Sequence, residues 1–295
     1  MRPGAPAPAA FGFGFVQMRW SAGALLLYPV VAAAVQRLAA VPSYAQLPPY
    51  EAARLDYDER AHDARRLGSL RPEFRAVKHG RFALQKLLDE YAFESVVDVG
   101  SGTGEHAELF TKHGKHYTGI EFGGPTMTER TARTRRARRR SAQRGNATTV
   151  KGDFNTMDLS SLHGAFDVVW VSQVLEHQLD AQAFLKRVVS LCKEGGLIVL
   201  GLPVIKTQVV GGHVSLWTAG LVFMHLVHAG VDCTDARVNS ENAAFHVFVT
   251  KRTISETLPW EYVYGDVDRA SPYLPYVNGK RLGERFHGEI AYLNW

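Results

Sequence analysis

The chain contains 295 residues, of which 46% are hydrophobic and 21% are charged, and its formal net charge is +5. This balance is typical of a globular protein and excludes a largely disordered, collagen-like or coiled-coil chain. The two cysteines, Cys192 and Cys233, are too few for a disulfide framework or a cysteine-based zinc site.

The N-terminal segment is apolar and contains no acidic residue before Glu51. Its longest uncharged run, residues 20–36, is at the lower limit for a membrane-spanning helix and long for the apolar part of a signal peptide. We interpret residues 1–45 as a targeting or anchoring segment: a signal peptide, a short anchor or an organelle transit peptide. The alternative is a poorly ordered or helical extension. The expected location is membrane-associated or organelle-targeted through this segment, and cytoplasmic otherwise.

Residues 46–80 are interpreted as a helical lead-in and residues 81–252 as the core domain. Within the core, short apolar runs alternate with longer amphipathic segments, which predicts a parallel sheet with helices on both faces. The predicted strands cover 95–99, 117–121, 148–151, 166–171 and 196–202, and the predicted helices cover 80–91, 105–113, 180–192 and 218–229. In such a sheet, ligands bind beyond the carboxyl ends of the strands.

A glycine-rich loop follows the first predicted strand, with glycines at 100, 102 and 104. Glycines at these positions allow the backbone to turn sharply and to approach a ligand closely. The second strand ends in Glu121, whose carboxylate can accept hydrogen bonds from a ribose diol. The spacing is G-x-G-x-G, which differs from the G-x-G-x-x-G of dinucleotide-binding proteins, and no P-loop Gly-Lys-Ser/Thr follows it. The pattern therefore predicts a nucleoside-containing cofactor.

The segment Val97–Gly104 resembles motif I of class I S-adenosylmethionine-dependent methyltransferases. The resemblance continues in chain order with Glu121, with Gly152 to Phe154, with Phe166 to His177 and with Gly195 to Pro203. The Leu-Glu-His turn after the fourth strand is similar to that of small-molecule methyltransferases of types 11 and 23. The resemblance covers only the core, and it implies an α/β, Rossmann-like, doubly wound, seven-stranded and mostly parallel sheet. The antiparallel last strand of that sheet would run over 243–251.

The resemblance also implies S-adenosyl-L-methionine as the cofactor. Glu121 would hold the ribose hydroxyls, and Asp153 would accept a hydrogen bond from the adenine amino group while Phe154 covers the ring. The glycine loop would pass under the methionine part, with Asp98 near its amino group. The residues that the resemblance assigns to cofactor binding are Asp98, Gly100, Ser101, Gly102, Gly104, Glu121, Asp153, Phe154, Ser172 and Gln173.

The molecule that accepts the methyl group is expected to bind near two histidines, His213 and His177, which follow the fifth and fourth strands. An oxygen nucleophile must lose its proton, and a histidine suits that role near neutral pH. We expect His213, before His177, to be the base; the alternative is that His213 caps the next helix or packs against Trp217. Glu176 and Trp217 are expected to line the acceptor pocket, with a structural role as the alternative for Glu176 and His177. No metal ion is expected to be required.

Eight arginines and no acidic residue lie between Arg130 and Arg144, so the basic character of the chain is local. They would contact an anionic surface, or form a solvated basic segment without a specific partner. A nucleic-acid partner is not favoured, because the fourth strand is followed neither by the Asn/Asp-Pro-Pro-aromatic turn of base-amine methylation nor by Pro-Cys. Ribose or cap methylation of RNA stays open.

Residues 253–295 contain eight aromatic residues, which predicts an extension packed on the core. The predicted function is methyl transfer to a small molecule or to a glycan or lipid-linked acceptor, at oxygen. The alternatives are a non-catalytic cofactor-binding scaffold with an arginine-rich interaction surface, and a ribose or cap RNA methyltransferase. A nicotinamide-dependent oxidoreductase is disfavoured by the glycine spacing and by Asp98.

Overall fold

The computed structural model describes residues 68–102, 104–122, 145–205, 210–241, 244–277, 280–281, 290 and 292–295. All of them belong to one unit, Asp58–Trp295. The apolar N-terminal segment, the first part of the expected helical lead-in and the arginine-rich segment Arg130–Arg144 lie outside the described residues. Among the residues that are described, no helix has the length and apolar character that a membrane span requires.

Helices and strands alternate along the chain as predicted, and most of their ends fall within one or two residues of the predicted ends. The helices are α1 (Arg81–Glu90), α2 (Glu105–Lys112), α3 (Ala181–Leu191), α4 (Ala219–His228) and α5 (Gly265–Ala270). The strands are β1 (Ser95–Val99), β2 (His116–Glu121), β3 (Ala147–Lys151), β4 (Phe166–Ser172), β5 (Cys192–Pro203), β6 (Arg237–Glu241), β7 (Ala244–Thr250), β8 (Tyr276–Val277), β9 (Lys280–Arg281) and β10 (Tyr292–Leu293). The fifth strand begins four residues earlier than predicted, at Cys192.

The main sheet has the strand order β10-β6-β7-β5-β4-β1-β2-β3. The pairs β1–β2, β1–β4, β2–β3 and β4–β5 are parallel, whereas β7 runs antiparallel to β5 and β6. This arrangement confirms the predicted Rossmann-like α/β fold and its antiparallel last strand. The prediction of seven strands is wrong by one, because β10 adds an antiparallel edge strand beside β6. A two-residue strand has no alternating pattern that a sequence can reveal.

The two faces of the sheet are covered by different helices, because successive side chains of a strand point to opposite faces. In β4, Val168 and Trp170 pack with the apolar residues of α1 and α2. Val169 and Val171 of the same strand pack with those of α3 and α4. The central strands are therefore buried on both sides, and the strand ends are the places where polar groups can meet a ligand.

Described parts of the expected C-terminal extension contact the core. The Trp295 ring lies edge-on against Phe248 of β7, with ring centroids 5.0 Å apart. The Trp260 ring stacks on His228 of α4 with a centroid distance of 3.7 Å. The first contact lies on the face of the sheet covered by α1 and the second at α4 on the opposite face, so the described parts of the extension reach both faces.

Candidate functional site

The candidate site lies beyond the carboxyl ends of the parallel strands. The strand order reverses at β1, since β2 and β3 lie on one side of it and β4 and β5 on the other. Such a reversal opens a crevice between the loops that leave neighbouring strands. The loops after β1 to β5 carry most of the residues that the sequence singles out.

The glycine loop after β1 is fixed to the end of β2. The backbone N–H groups of Gly100 and Ser101 both donate to the carbonyl oxygen of Ile120, at 2.9 and 3.1 Å. Gly100 has a left-handed backbone with φ of 76°, and a methyl group added there would lie 2.4 Å from Cγ2 of Val174. Only glycine fits this position, where the loop after β1 approaches the loop after β4.

Glu121 ends β2 and faces the same loop. The Gly102 N–H donates to Oε2 of Glu121 at 2.5 Å. This hydrogen bond holds the carboxylate beside the glycine loop, at the place where the sequence predicts a ribose-binding acid. The two elements of the predicted cofactor pocket are therefore in direct contact.

Asp98 and Ser101 support the loop from within the sheet. The Asp98 carboxylate is buried; its Oδ2 accepts a hydrogen bond from the Tyr117 hydroxyl at 2.8 Å and lies 3.7 Å from Nδ1 of His106. Ser101 is nearly buried and packs over Gly119 of β2, where an added methyl would lie 2.9 Å from the Ser101 Oγ. Contact of either residue with a cofactor stays a prediction.

The turn after β3 is tied to α3. Oδ1 of Asp153 accepts from the Asn155 N–H at 2.9 Å, and the carbonyl oxygen of Phe154 accepts from Nε of Arg187 at 2.7 Å. The Phe154 ring is only 7% exposed and lies edge-on against Phe184, with ring centroids 5.2 Å apart. Most of this ring is thus used in the core, and its expected contact with an adenine ring is untested.

The end of β4 places two polar groups without partners in the crevice region. Gln173 has a left-handed backbone with φ of 58°, and its N–H donates to the carbonyl oxygen of Gly201 at 2.8 Å. The Ser172 Oγ and the Gln173 Nε2 are buried and have no hydrogen-bond partner among the described residues. Buried polar atoms are normally paired, so these two are candidates for ligand contacts.

A second group of residues comes together after β4 and β5. The short turn Leu175–His177 follows β4, and residues 210–218 follow β5 and lead into α4. The carbonyl oxygen of Glu176 accepts from the Val214 N–H at 2.8 Å, and Nδ1 of His177 lies 2.6 Å from the carbonyl oxygen of Gly212. These bonds fix the two segments to each other and place the His177 and His213 rings edge-to-face at 5.0 Å.

The Glu176 carboxylate points into this group. The residue is fully buried, and neither carboxylate oxygen has a hydrogen-bond partner among the described residues. Oε1 lies 3.9 Å from Nε2 of His177, which is too long for a hydrogen bond. Burial raises the pKa of Glu176 above its ordinary value and outweighs the opposing effects of its own backbone N–H and of the nearby His177.

Ligand atoms of Glu176, His177 and His213 lie within 4.8 Å of one another. Within the described ranges this is the one group of His, Cys, Asp and Glu side chains close enough to hold a metal ion. The sequence predicts the three residues as separate candidates and not as one cluster. The predicted order of strands could have grouped them, because β4 and β5 are neighbouring parallel strands whose carboxyl ends lie side by side.

Trp217, expected to line the acceptor pocket, is only 4% exposed. Its Nε1 donates to the Ser215 Oγ at 2.8 Å, and its ring lies edge-on against His225 at 5.0 Å. Burial lowers the pKa of His225 to about 4, and the nearby His228 adds to this effect. Trp217 therefore supports the loop after β5 from beneath, and its contact with an acceptor stays a prediction.

Three comparisons with known proteins bear on this site. A family model described as a methyltransferase domain matches residues 58–218, which is more than half of the chain. A curated relative, the demethylmenaquinone methyltransferase of Thermobifida fusca (strain YX), is 29% identical over 123 residues, which are 42% of this chain and 49% of the relative. The chain thus spans about half the length of the relative that it matches.

Two solved structures are also similar to this chain. One is Burkholderia thailandensis 1,6-didemethyltoxoflavin-N1-methyltransferase with bound 1,6-didemethyltoxoflavin and S-adenosylhomocysteine: 16% identity, TM-score 0.47, 80% of this chain and 93% of that chain. The other is Haemonchus contortus phosphoethanolamine N-methyltransferase 2 in complex with S-adenosyl-L-methionine: 11% identity, TM-score 0.47, 58% of this chain and 52% of that chain. At these identities the similarity concerns the fold alone.

Proposed function

The chain belongs to the methyltransferase-domain family, and from this premise we propose that it transfers a methyl group from S-adenosylmethionine to an oxygen atom of a small-molecule acceptor. The acceptor class includes small molecules that carry a glycan or lipid part. The proposal is supported by the arrangement of the strand ends, which offers one set of groups for a nucleoside and another for an acceptor.

The observation that carries the cofactor assignment is the contact between the glycine loop and Glu121. The Gly102 N–H and the Glu121 carboxylate meet at 2.5 Å where the strand order reverses. A carboxylate at this edge is suited to accept hydrogen bonds from two ribose hydroxyls. The unpartnered polar atoms of Ser172 and Gln173 supply further polar contacts on the side of β4.

The reaction itself demands little of the protein beyond positioning. A sulfonium methyl group is already activated, so in-line alignment of the nucleophile and exclusion of water supply up to about 7–11 kcal/mol of barrier lowering. The acceptor oxygen must also lose its proton to be a good nucleophile. We assign this step to the histidine pair, with His213 as the first candidate and His177 as the second.

The segments that carry the two histidines also expose apolar side chains. Leu179, Val214 and Leu216 are 93%, 53% and 55% exposed. Exposed apolar groups beside polar, partly buried ones are typical of a binding site for a molecule with an apolar part. This observation favours a partly apolar acceptor over a highly charged one.

The cofactor assignment is tested by calorimetric titration of the full chain with S-adenosylhomocysteine, with NAD as the control ligand. We expect binding of the first ligand alone. Glu121→Gln keeps the size of the side chain and removes its charge, and should weaken binding at least about tenfold, since hydrogen bonds to charged groups contribute about 1.5–3 kcal/mol each. Glu90→Gln, at an exposed side chain of α1, is the matched control.

No binding of S-adenosylhomocysteine, or equal binding by wild type and Glu121→Gln, would reject the cofactor assignment. The acceptor is then sought with a panel of hydroxylated molecules of graded apolarity and S-adenosylmethionine, measuring methyl transfer by mass spectrometry. Cofactor binding without transfer to any member would favour the non-catalytic scaffold, and transfer to a capped RNA would favour the RNA alternative.

Two further parts of the proposal concern residues outside the described ranges. We propose that residues 1–45 direct the chain to a membrane or an organelle, and that Arg130–Arg144 contacts an anionic surface. Fractionation of cells that express the full chain or residues 46–295 tests the first. Loss of binding to anionic vesicles when the arginines are replaced by glutamine tests the second.

A further inference from the structure

Hydrogen bonds join the two segments that carry Glu176, His177 and His213. Glu176 and His177 belong to a short helical turn at the end of β4, and His213 lies in the loop after β5. The Glu176 carbonyl oxygen accepts from the Val214 N–H at 2.8 Å and from the Ser215 N–H at 3.3 Å. These main-chain bonds hold the loop after β5 against the turn after β4.

The Glu176 carboxylate is buried away from any hydrogen-bond donor that the described residues offer to its oxygens. It is fully buried, and among the described residues neither oxygen accepts a hydrogen bond. A buried ionised carboxylate is very costly unless it is paired or coordinates a metal ion. Its Oε1 faces the ring of His177 at 3.9 Å, so the unpaired group is aimed into the cluster and not into an apolar core.

The His177 ring is oriented as a metal ligand would be. Its Nδ1 lies 2.6 Å from the carbonyl oxygen of Gly212. A carbonyl only accepts, so the Nδ1 proton is held there and the lone pair of the neutral ring is on Nε2, which faces Glu176. Histidines that bind metals usually donate their other ring N–H to a carbonyl or carboxylate in this way.

We propose that Glu176, His177 and His213 bind a divalent transition-metal ion, with Zn²⁺ as the best-fitting ion. Two imidazoles and one carboxylate form a donor set used by zinc sites that keep an open fourth position. Mg²⁺ and Ca²⁺ prefer sites made of oxygen ligands, so the two imidazoles disfavour them.

The distances require only a small adjustment. Ligand atoms about 2.1 Å from a tetrahedral ion are about 3.4 Å apart, so the observed separations of up to 4.8 Å exceed this by about 1.4 Å at most. His177 is exposed and His213 is partly exposed, so small movements of these side chains and of the segments that carry them would bring the ligand atoms to the distances that an ion requires. An ion bound here would also compensate the negative charge of the buried carboxylate.

The use of this ion in methyl transfer rests on the proposed function, whereas its binding does not. With three protein ligands the ion would keep one position open, where an acceptor hydroxyl could bind and would lose its proton to solvent more readily. The resulting oxygen would attack the methyl group, and the sulfonium sulfur would leave as a neutral thioether. Both histidines would then be ligands, and neither would be free to act as the base.

The test is a competition titration of the full chain against a chromophoric zinc chelator, after removal of metals with EDTA and desalting. We expect one Zn²⁺ per chain at a site that competes with the chelator, and no comparable competition by Mg²⁺. Glu176→Gln and His213→Asn should each weaken this binding at least tenfold. His163→Asn, at an exposed histidine outside the cluster, is the control and should leave the affinity unchanged.

A melting experiment separates loss of the site from loss of the fold. Glu176→Gln replaces an unpaired buried carboxylate by a neutral amide, so the metal-free variant should melt at the same or a higher temperature than the metal-free wild type. Zn²⁺ should raise the melting temperature of wild type and of His163→Asn, but not that of Glu176→Gln. Equal zinc affinity and equal melting shifts in wild type and both cluster variants would overturn the proposal, as would the absence of stoichiometric binding by wild type. Because neither readout needs cofactor or acceptor, failure here is distinct from a failed S-adenosylhomocysteine titration.

Discussion

Gly100 is a position with too little space for a side chain. Its backbone is left-handed, with φ of 76°, and a methyl group there would lie 2.4 Å from Cγ2 of Val174. Gly114 has the same φ of 76°, but an added methyl would meet no atom within 4 Å. The two glycines therefore separate the cost of backbone strain from the cost of a steric clash.

Gly114→Ala should cost only the strain of a left-handed alanine, about 1–2 kcal/mol of unfolding free energy. Gly100→Ala should cost this amount plus a clash. Carbon atoms pack at about 3.5–4.0 Å, so the Val174 side chain or the loop must move by at least about 1 Å. Overpacking of this kind costs about 1–3 kcal/mol, which brings the expected total to about 2–5 kcal/mol.

The assay is urea denaturation of wild type, both single variants and the pair Gly100→Ala with Val174→Ala. Removing the Val174 methyl groups relieves the clash, so the double variant should be more stable than the sum of the single changes predicts, by about 1–3 kcal/mol. Equal destabilisation by Gly100→Ala and Gly114→Ala, or strict additivity in the double variant, would refute the argument that the loop after β1 packs against the loop after β4.

Three further predictions follow from buried or paired groups. Asp167→Asn should lower the unfolding free energy by about 1.5–3 kcal/mol at pH 7, because Asp167 accepts from two backbone N–H groups and from Lys193 at 2.7 Å. Burial raises the pKa of Asp167, but these donors outweigh burial and hold the pKa below its ordinary value. The contribution of Asp167 to the unfolding free energy should therefore be lost as the pH falls below about 4, as acid-unfolding experiments would show. Burial raises the pKa of Cys192 to about 12 and that of Cys233 well above its ordinary value, so a thiol reagent at pH 8 should modify neither in the native protein and both in denaturant. The pKa of His225 is lowered to about 4 in the folded protein, so on acidification the unfolded chain binds a proton at this residue first. The free energy of unfolding should therefore fall between about pH 6.5 and pH 4. Denaturation at each pH should show a smaller fall in His225→Gln.

The parts of the fold that the sequence predicts are those with a strong local pattern. Val96 to Val99 and Phe166 to Val171 are mostly apolar runs, each interrupted by one aspartate, and both become buried central strands. The alternation of such runs with amphipathic helices is enough to predict a parallel sheet and to place the candidate residues at one edge. The short edge strand Tyr292–Leu293 has no such pattern and depends on the partner strand β6.

The parts of the site that the sequence leaves out depend on register and on contacts between loops. Asp98 is opposite Gly119 in the sheet, which brings the Tyr117 side chain within hydrogen-bond distance of its carboxylate. A slip by one residue would point Tyr117 to the other face, and nothing in the local sequence fixes that register. In the same way, the pairing of β4 with β5 brings the segments of Glu176 and His213 to one edge, but their contact through the Val214 N–H and the Glu176 carbonyl oxygen cannot be read from any spacing in the sequence.

The two roles considered for the histidines exclude each other, and one measurement separates them. If His213 or His177 takes the acceptor proton, turnover should not change when metal is removed. If both are ligands together with the buried Glu176, EDTA should abolish turnover and Zn²⁺ should restore it, and His163→Asn should behave as wild type. We expect the second outcome, because a general base does not account for a fully buried carboxylate whose oxygens have no hydrogen-bond partner among the described residues, whereas a bound cation does. Full activity in metal-free protein would leave the histidine pair as the base and would require another explanation for the burial of Glu176.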